Sequence, residues 1–389
     1  MVTISISMQD SYLPIRDGVE ISWFAPLCDG DDDYLGHRNP KYKSTWEHTS
    51  RIVQTADQLG YRNVLCPSSY QVGQDTLSFV AGMAPLTEKI NFLAAIRSGE
   101  VHPPMLARAI ATLDHMLKGR LTLNIISSDL PGTQWNAPER YARSREVIEI
   151  LKQAWGQEEI NYQGKYYQLQ LPTGPVRPYQ QNGGPLLYFG GYSPDGVDLC
   201  AAHCDVYLMW PETEEKLQEL IANMQTKAAQ YDRTVQFGLR VHVIVRETEE
   251  EARNDAKQLI SKLDIKLGKD IRNRAQDAAS YGVSRQTQLR SESDDQYYAE
   301  PHLWTGIGLA RSGCGAAIVG NPDQVVEKLH RYMKMGIGSF ILSGYPHEQE
   351  CKIFAQKVLP RLKTISFPDF FGRRPHETPM TPLGKGARI

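Results

Sequence analysis

The stretch "FGLRVHVIVRET", residues 237–248, has the apolar run of a buried strand, yet it carries an arginine and a histidine two positions apart. Side chains alternate across a strand, so Gly238, Arg240, His242 and Ile244 share one face while Leu239, Val241, Val243 and Val245 share the other. The apolar face requires covering elements. The other face requires a partner for its charge or a polar opening, and no carboxylate alternates with Arg240 on the same strand.

Working outward, short apolar segments alternate with longer amphipathic ones, the pattern of a parallel sheet covered by helices. Strands are expected near 21–26, 63–68, 90–98, 121–127, 186–191, 206–210, 236–245 and 339–344. Helical periodicity falls at 44–59, 75–86, 103–118, 139–155, 194–203, 212–230, 248–262 and 321–335, with a closing helix at about 347–363. Eight such units, with no GxGxxG after the first strand, predict an α/β fold, a single (β/α)8 TIM barrel with insertions spanning residues 1–364. One insertion, 161–184, has the pattern of a hairpin and a Pro/Gly loop; the other, 263–320, is long and polar, a lid or a disordered segment. Residues 365–389 are expected as an extended C-terminal arm that can wrap a neighbouring subunit.

Composition excludes several classes. With 389 residues, 41% hydrophobic, 23% charged and a formal net charge of -2, bulk attraction to nucleic acid or anionic lipid is not expected. No apolar run reaches the roughly 18 residues of a membrane span, and "MVTISISMQDSYLP" has neither a basic n-region nor an apolar h-region, which predicts a cytoplasmic protein. Cys28, Cys66, Cys200, Cys204, Cys314 and Cys351 show no zinc or CxxC spacing, so neither metal nor disulfide is expected. The acidic run Asp29 to Asp33 has the composition of an exposed loop.

In a barrel of this kind, reactive groups come from the C-terminal ends of strands and the loops that follow. Arg240 there offers a forked, permanent cation for an anionic substrate. Beside it His242 should have a lowered pKa and can serve as acid or base, while a neutral core histidine is the plainer alternative. In "SFILSGYPHEQE", 339–350, Tyr345 is either a proton donor or a packed rim aromatic. "LYFGGYSPDG", 187–196, brings Gly190, Gly191 and Ser193 to a helix start, the arrangement of either a phosphate cradle or an ordinary tight turn. "GLARSGCGAAIVG", 308–320, places Arg311 on a glycine-hinged loop able to close over an anion.

Together with "HLWTGIGLARSGCGAAIVG", "VYLMW", "LARAIATLDHMLKGR" and "ERYARS", these segments resemble, in order from about Ile21 to about Leu362, the bacterial luciferase-like flavin monooxygenases. Within that family the chain is most similar to the two-component alkanesulfonate monooxygenases. The resemblance implies a TIM barrel that takes reduced FMN from a separate NAD(P)H-dependent flavin reductase and uses molecular oxygen. A peroxyflavin then oxidises a small anionic substrate, an alkanesulfonate giving aldehyde and sulfite. It also implies a homo-oligomer, dimer or tetramer. By the same match, Arg240, His242, Arg311 and Tyr345 stand at active-site positions. Ser68, Ser69, Asn124, Arg140, Tyr141, Gly191, Tyr192 and Ser193 stand at flavin positions, and Cys28 and Trp210 on the substrate side.

Two positions depart from the family. Cys28 replaces a histidine after the first strand, and Gly73 aligns where a cysteine follows the second. Both bear on substrate choice, which leaves open a sulfone, an amide ring or a biosynthetic intermediate, or a flavin-binding barrel without activity.

Overall fold

The computed structural model describes residues 18–28, 30–264, 281–311 and 313–379. Eight parallel strands close into a barrel: β1 (Glu20–Phe24), β2 (Asn63–Cys66), β3 (Asn91–Arg97), β4 (Leu121–Ile126), β7 (Leu187–Phe189), β8 (Val206–Met209), β9 (Gln236–Val245) and β13 (Ile337–Ser343). Closure comes from β13 pairing with both β9 and β1 while β8 pairs with β9. All eight expected strands are present, and the fold is a closed (β/α)8 barrel.

Around it lie α1 (Trp46–Gln58), α2 (Thr76–Met83), α3 (Pro103–Met116), α4 (Ala137–Gly156), α5 (Pro194–His203), α6 (Glu214–Ala229), α7 (Glu249–Leu259), α8 (Tyr281–Ser291), α9 (Pro322–Lys334) and α10 (His347–Lys357). Side chains explain where they begin: Thr45, Asp75, Asn136, Ser193, Thr213, Thr248 and Asn321 each accept a backbone N–H from the first turn. The closing helix is shorter than expected, because Pro360 lies in the one-turn 3-10 helix Leu359–Arg361 that follows α10. No helix of the described residues is long and apolar enough to cross a membrane.

The outward faces of the strands pack beneath the helices in one core that includes Trp23, Phe92, Phe189, Leu239, Val241 and Val243. Inside the barrel, Leu65, Leu93, Tyr188, Leu208 and Ile341 fill a second, smaller one. Its floor is polar: the buried Glu20 carboxylate accepts from Tyr188 Oη at 2.6 Å, Ser339 Oγ at 3.1 Å and the Phe367 amide at 3.3 Å. Burial nonetheless raises the Glu20 pKa.

That last contact revises the expectation for the C-terminal segment. Through Pro379, residues from Ile365 lie against their own chain: Phe367 is buried in the barrel-interior cluster within a short helix, α11 (Phe367–Phe370). Arg374 holds Asn91 Oδ1 at 2.5 Å and the Gly119 carbonyl at 3.1 Å. Residues 380–389 lie outside the described residues.

The two insertions also take shape. The first contains the antiparallel hairpin β5 (Glu159–Gln163) and β6 (Gln168–Pro172). In the second, residues 265–280 and Ser312 lie outside the described residues. The rest forms α8, β10 (Tyr298–Glu300), β11 (Leu303–Trp304) and the buried strand β12 (Ala317–Gly320), which pairs parallel with residues 242–245 of β9. The strands of this segment are built into the sheet, while α8 and the loop carrying Arg311 lie outside it; "AAIVG" at its end was the apolar signal.

Candidate active site

At ten residues β9 is longer than its neighbour β8, so its second half rises past the end of the barrel wall on that side. Arg240 and His242 sit at this transition. Arg240 is only 7% exposed, points inward and places its guanidinium 4.6 Å from the centre of the Phe24 ring. It donates to Ser343 Oγ at 2.8 Å and to the Ile341 carbonyl at 3.3 Å. No carboxylate of the described residues forms an ion pair with it. Burial lowers its pKa, but a guanidinium stays protonated, so this is a buried cation lacking a fixed counter-charge.

His242 Nδ1 lies 2.7 Å from the same Ser343 hydroxyl. Burial, then Arg240, His347 and Arg311, push its pKa well below the ordinary histidine value, so the ring is neutral. Its face stacks on Tyr345, with centroids 5.3 Å apart and planes 25° apart. Burial raises the Tyr345 pKa against the pull of Arg311 and Arg240, which keeps the phenol protonated.

Arg311 comes from the glycine-rich loop and lies over the other part of the cluster, its guanidinium 5.3 Å from the Tyr345 ring centre. Its Nη2 donates to the Gly30 carbonyl and approaches Asp32 at 3.4 Å, while its buried Nε has no partner among the described residues. Cys314 of this loop donates through its thiol to the Arg240 carbonyl at 3.3 Å. Four candidate residues, from three separate segments, are thus brought together.

The candidate flavin residues line the same end of the barrel, on the side of β4 and β7. Asn124 is half-buried on β4. Tyr141 packs edge-on against Phe189, and a Cβ on Gly196 would lie 3.2 Å from its hydroxyl and 3.3 Å from Ser193 Oγ. The start of α5 is therefore a small cradle lined by two hydroxyls and by backbone amides. Gly191 accepts from Tyr207 Oη at 2.9 Å, and the Tyr192 hydroxyl accepts from the Trp210 amide at 2.5 Å. Trp210 in turn lies between Gly282 and Gly313, where a Cβ would approach its ring to 2.8 and 3.3 Å.

Other candidates are more loosely connected. Arg140 is engaged with the Trp135 carbonyl at 2.5 Å and the Ser127 carbonyl at 3.2 Å, so it braces the loop after β4. Ser68 and Ser69 are half-buried between β2 and α2, where Ser69 Oγ accepts from the Gln71 amide at 3.3 Å. Cys28 is half-buried, with its thiol pKa pushed up to about 12 by desolvation. Gly73 is explained by packing: its φ is +88° and a Cβ there would fall 1.7 Å from the Leu27 carbonyl, so no side chain fits.

The acidic run is the main correction. Asp31 and Asp32 are buried, at 2% and 5% exposure, rather than displayed on a loop. Asp31 accepts from the His347 amide at 2.9 Å and stands 3.1 Å from His347 Nδ1 and 2.8 Å from His48 Nε2. Residues some 300 positions apart in the chain meet here, so no local pattern announced it.

With this geometry described, similarity to known proteins becomes informative. A protein 59% identical over 96% of this chain and 97% of its own is the sulfoquinovose monooxygenase of Agrobacterium fabrum. A second sulfoquinovose monooxygenase, from Novosphingobium aromaticivorans, is 50% identical over 88% of this chain and 96% of its own. Among solved structures, the oxygenating constituent of 3,6-diketocamphane monooxygenase from Pseudomonas putida, in complex with FMN, superposes with a TM-score of 0.64 at 18% identity, covering 90% of this chain and 99% of that one. The profile described as luciferase-like monooxygenase matches residues 19–339, and the chain belongs to that family.

Proposed function

We propose that this protein is the oxygenase of a two-component system, taking reduced FMN from an NAD(P)H-dependent flavin reductase and cleaving the carbon–sulfur bond of a sulfonated sugar of the sulfoquinovose type. The observation that carries the reading is Arg240, a buried cation with no carboxylate partner among the described residues, set beside a neutral His242 and a protonated Tyr345. A sulfonate is anionic at every working pH, so it supplies the missing counter-charge.

The cradle at the start of α5 suits the flavin phosphate: Tyr141 and Ser193 offer hydroxyls, and the first-turn amides point the same way. When bound, the reduced flavin supplies the two electrons by which molecular oxygen is split between substrate and water. The balanced products are an aldehyde at the former sulfonate carbon, sulfite, water and oxidised FMN.

The chain's own residues then have separable tasks. Arg240 and the unpartnered Nε of Arg311 hold the sulfonate. Tyr345, kept protonated, donates at the oxygen that leaves as water. His242, kept neutral, accepts a proton from the carbon that becomes the aldehyde. Arg240 and His242 are buried, and the half-buried Arg311 and Tyr345 lie over them and limit the access of water.

Choice of a sugar over an alkyl chain rests on the opening beside Arg311. A cavity of about 290 Å³ there is bordered by Asp32, Arg38, Asn39 and Lys43, groups able to hydrogen-bond hydroxyls, beside apolar wall from Pro40 and Ala310. The names of the two relatives support the same choice, and the alkanesulfonate expectation survives as the sulfonate group alone. The test supplies flavin reductase, FMN, NADH and oxygen with sulfoquinovose and with alkanesulfonates of increasing length. Sulfite and a sugar aldehyde are expected from the former; no sulfite from any sulfonate overturns the reading.

A further inference from the structure

We propose that Asp31 is a positioning residue, which fixes the proton of His347 on Nδ1 and through His347 sets the Tyr345 ring. This rests on the role given to Tyr345 above. The carboxylate side chain is 0% exposed and stands between His48, at 5%, and His347, at 1%. His347 presents its ring edge-on to Tyr345, with centroids 5.0 Å apart, and Tyr345 stacks on His242. The nitrogen-to-carboxylate distances make a continuous buried chain from α1 to the start of α10.

The proton positions follow from the outer end. Arg51 Nη2 can only donate, and it lies 3.0 Å from His48 Nδ1, which must therefore accept. His48 then carries its proton on Nε2, aimed at Asp31. Asp31 Oδ1 accepts from the His347 amide, and the same oxygen faces His347 Nδ1, which places that ring's proton on Nδ1. His347 Nε2 is left as the other face of the ring. This is the geometry by which a buried carboxylate orients a histidine in hydrolytic triads. Flanking Asp31, the Gly30 carbonyl and the Asp32 carboxylate hold Arg311, so one loop sets both sides of the Tyr345 ring.

The groups facing His347 are Asp31 from the first loop, Arg240 and His242 from β9, Arg311 from the glycine-rich loop, and Tyr345 from its own segment. Of these Asp31 alone is an anion, and its own pKa is held well below the carboxylate range, chiefly by His347 and His48 against the cost of burial.

The experiment has two independent readouts on the full chain. Ring ¹⁵N shifts of labelled histidines, measured without substrate, should place the proton on Nε2 of His48 and Nδ1 of His347; the opposite tautomer at either ring overturns the proposal. In the sulfite assay, Asp31→Asn should lower kcat at least tenfold while FMN affinity stays within twofold. An amide facing His48 Nε2 forces that proton toward Arg51, so adding Arg51→Ala to Asp31→Asn should restore kcat at least threefold. A kcat for Asp31→Asn within twofold of the parent, or no restoration, overturns the proposal. If the parent chain releases no sulfite at all, the proposed function fails, and the tautomers still decide the positions of these protons.

Discussion

The imidazole of His242 lies nearly flat on the phenol of Tyr345, 5.3 Å between centroids, although the two residues come from different strands' ends. The stack makes the two rings one unit. Substitutions that keep both rings therefore separate chemistry from packing. Tyr345→Phe keeps the stack and the contact with Arg311 but removes the hydroxyl. Its kcat is expected to fall by about 10²–10⁴, the usual worth of a positioned acid, with KM for the sulfonate and melting temperature little changed. Steady-state sulfite release and thermal melting check this.

Arg240→Met removes a buried charge that has no ion-pair partner among the described residues. Loss of its charged hydrogen bonds to substrate, about 1.5–3 kcal/mol each, should lower kcat/KM by one to two orders of magnitude or more. Stability should be equal or higher, since an apolar replacement of a buried ion is often neutral or stabilising. A large fall in melting temperature would show instead that the guanidinium serves the fold.

Arg311→Ala should leave FMN affinity nearly intact and abolish turnover, because Arg311 lies across the cluster from the α5 cradle. Flavin fluorescence quenching and sulfite release separate the two effects. Unchanged activity would remove Arg311 from the site.

The pH dependence of stability has a definite sign. Burial lowers the His242 pKa in the folded chain well below its ordinary value, and His347 and His203, the latter to about 3, shift the same way. As pH falls below about 6.5 the unfolded chain binds protons before the folded one, so stability is present above that pH and declines below it. His242→Gln should make the decline shallower, as read from melting temperature between pH 7 and pH 4.

Phe367 closes the floor of the barrel from outside the eight units. Phe367→Ala should cost about 3–5 kcal/mol of stability, the usual cost of truncating a fully buried aromatic. The remaining folded molecules should keep their kcat.

Much of this was legible in the residues. Period-two alternation around Arg240 and His242 placed both on one face, opposite the apolar one, and eight apolar segments separated by amphipathic ones predicted the barrel. What escaped depends on contacts between distant parts of the chain. The Asp31 pairs join the first loop to α1 and to α10, and an acidic run by itself has the composition of a solvated loop. The glycine at 73 was visible as a departure, but only the carbonyl of Leu27 pressed against it explains the missing side chain. Strand β12 hid behind the polar stretch that precedes it.

The sharing of β9 between barrel and insertion limits how this protein can change. Ala317 faces His242 in register, so lengthening or shortening the preceding segment by a single residue within the ladder would turn the faces of β12 over and drag Cys314 from the carbonyl of Arg240. Divergence in that segment is tolerable only upstream of the ladder, where added or lost residues leave the pairing phase untouched.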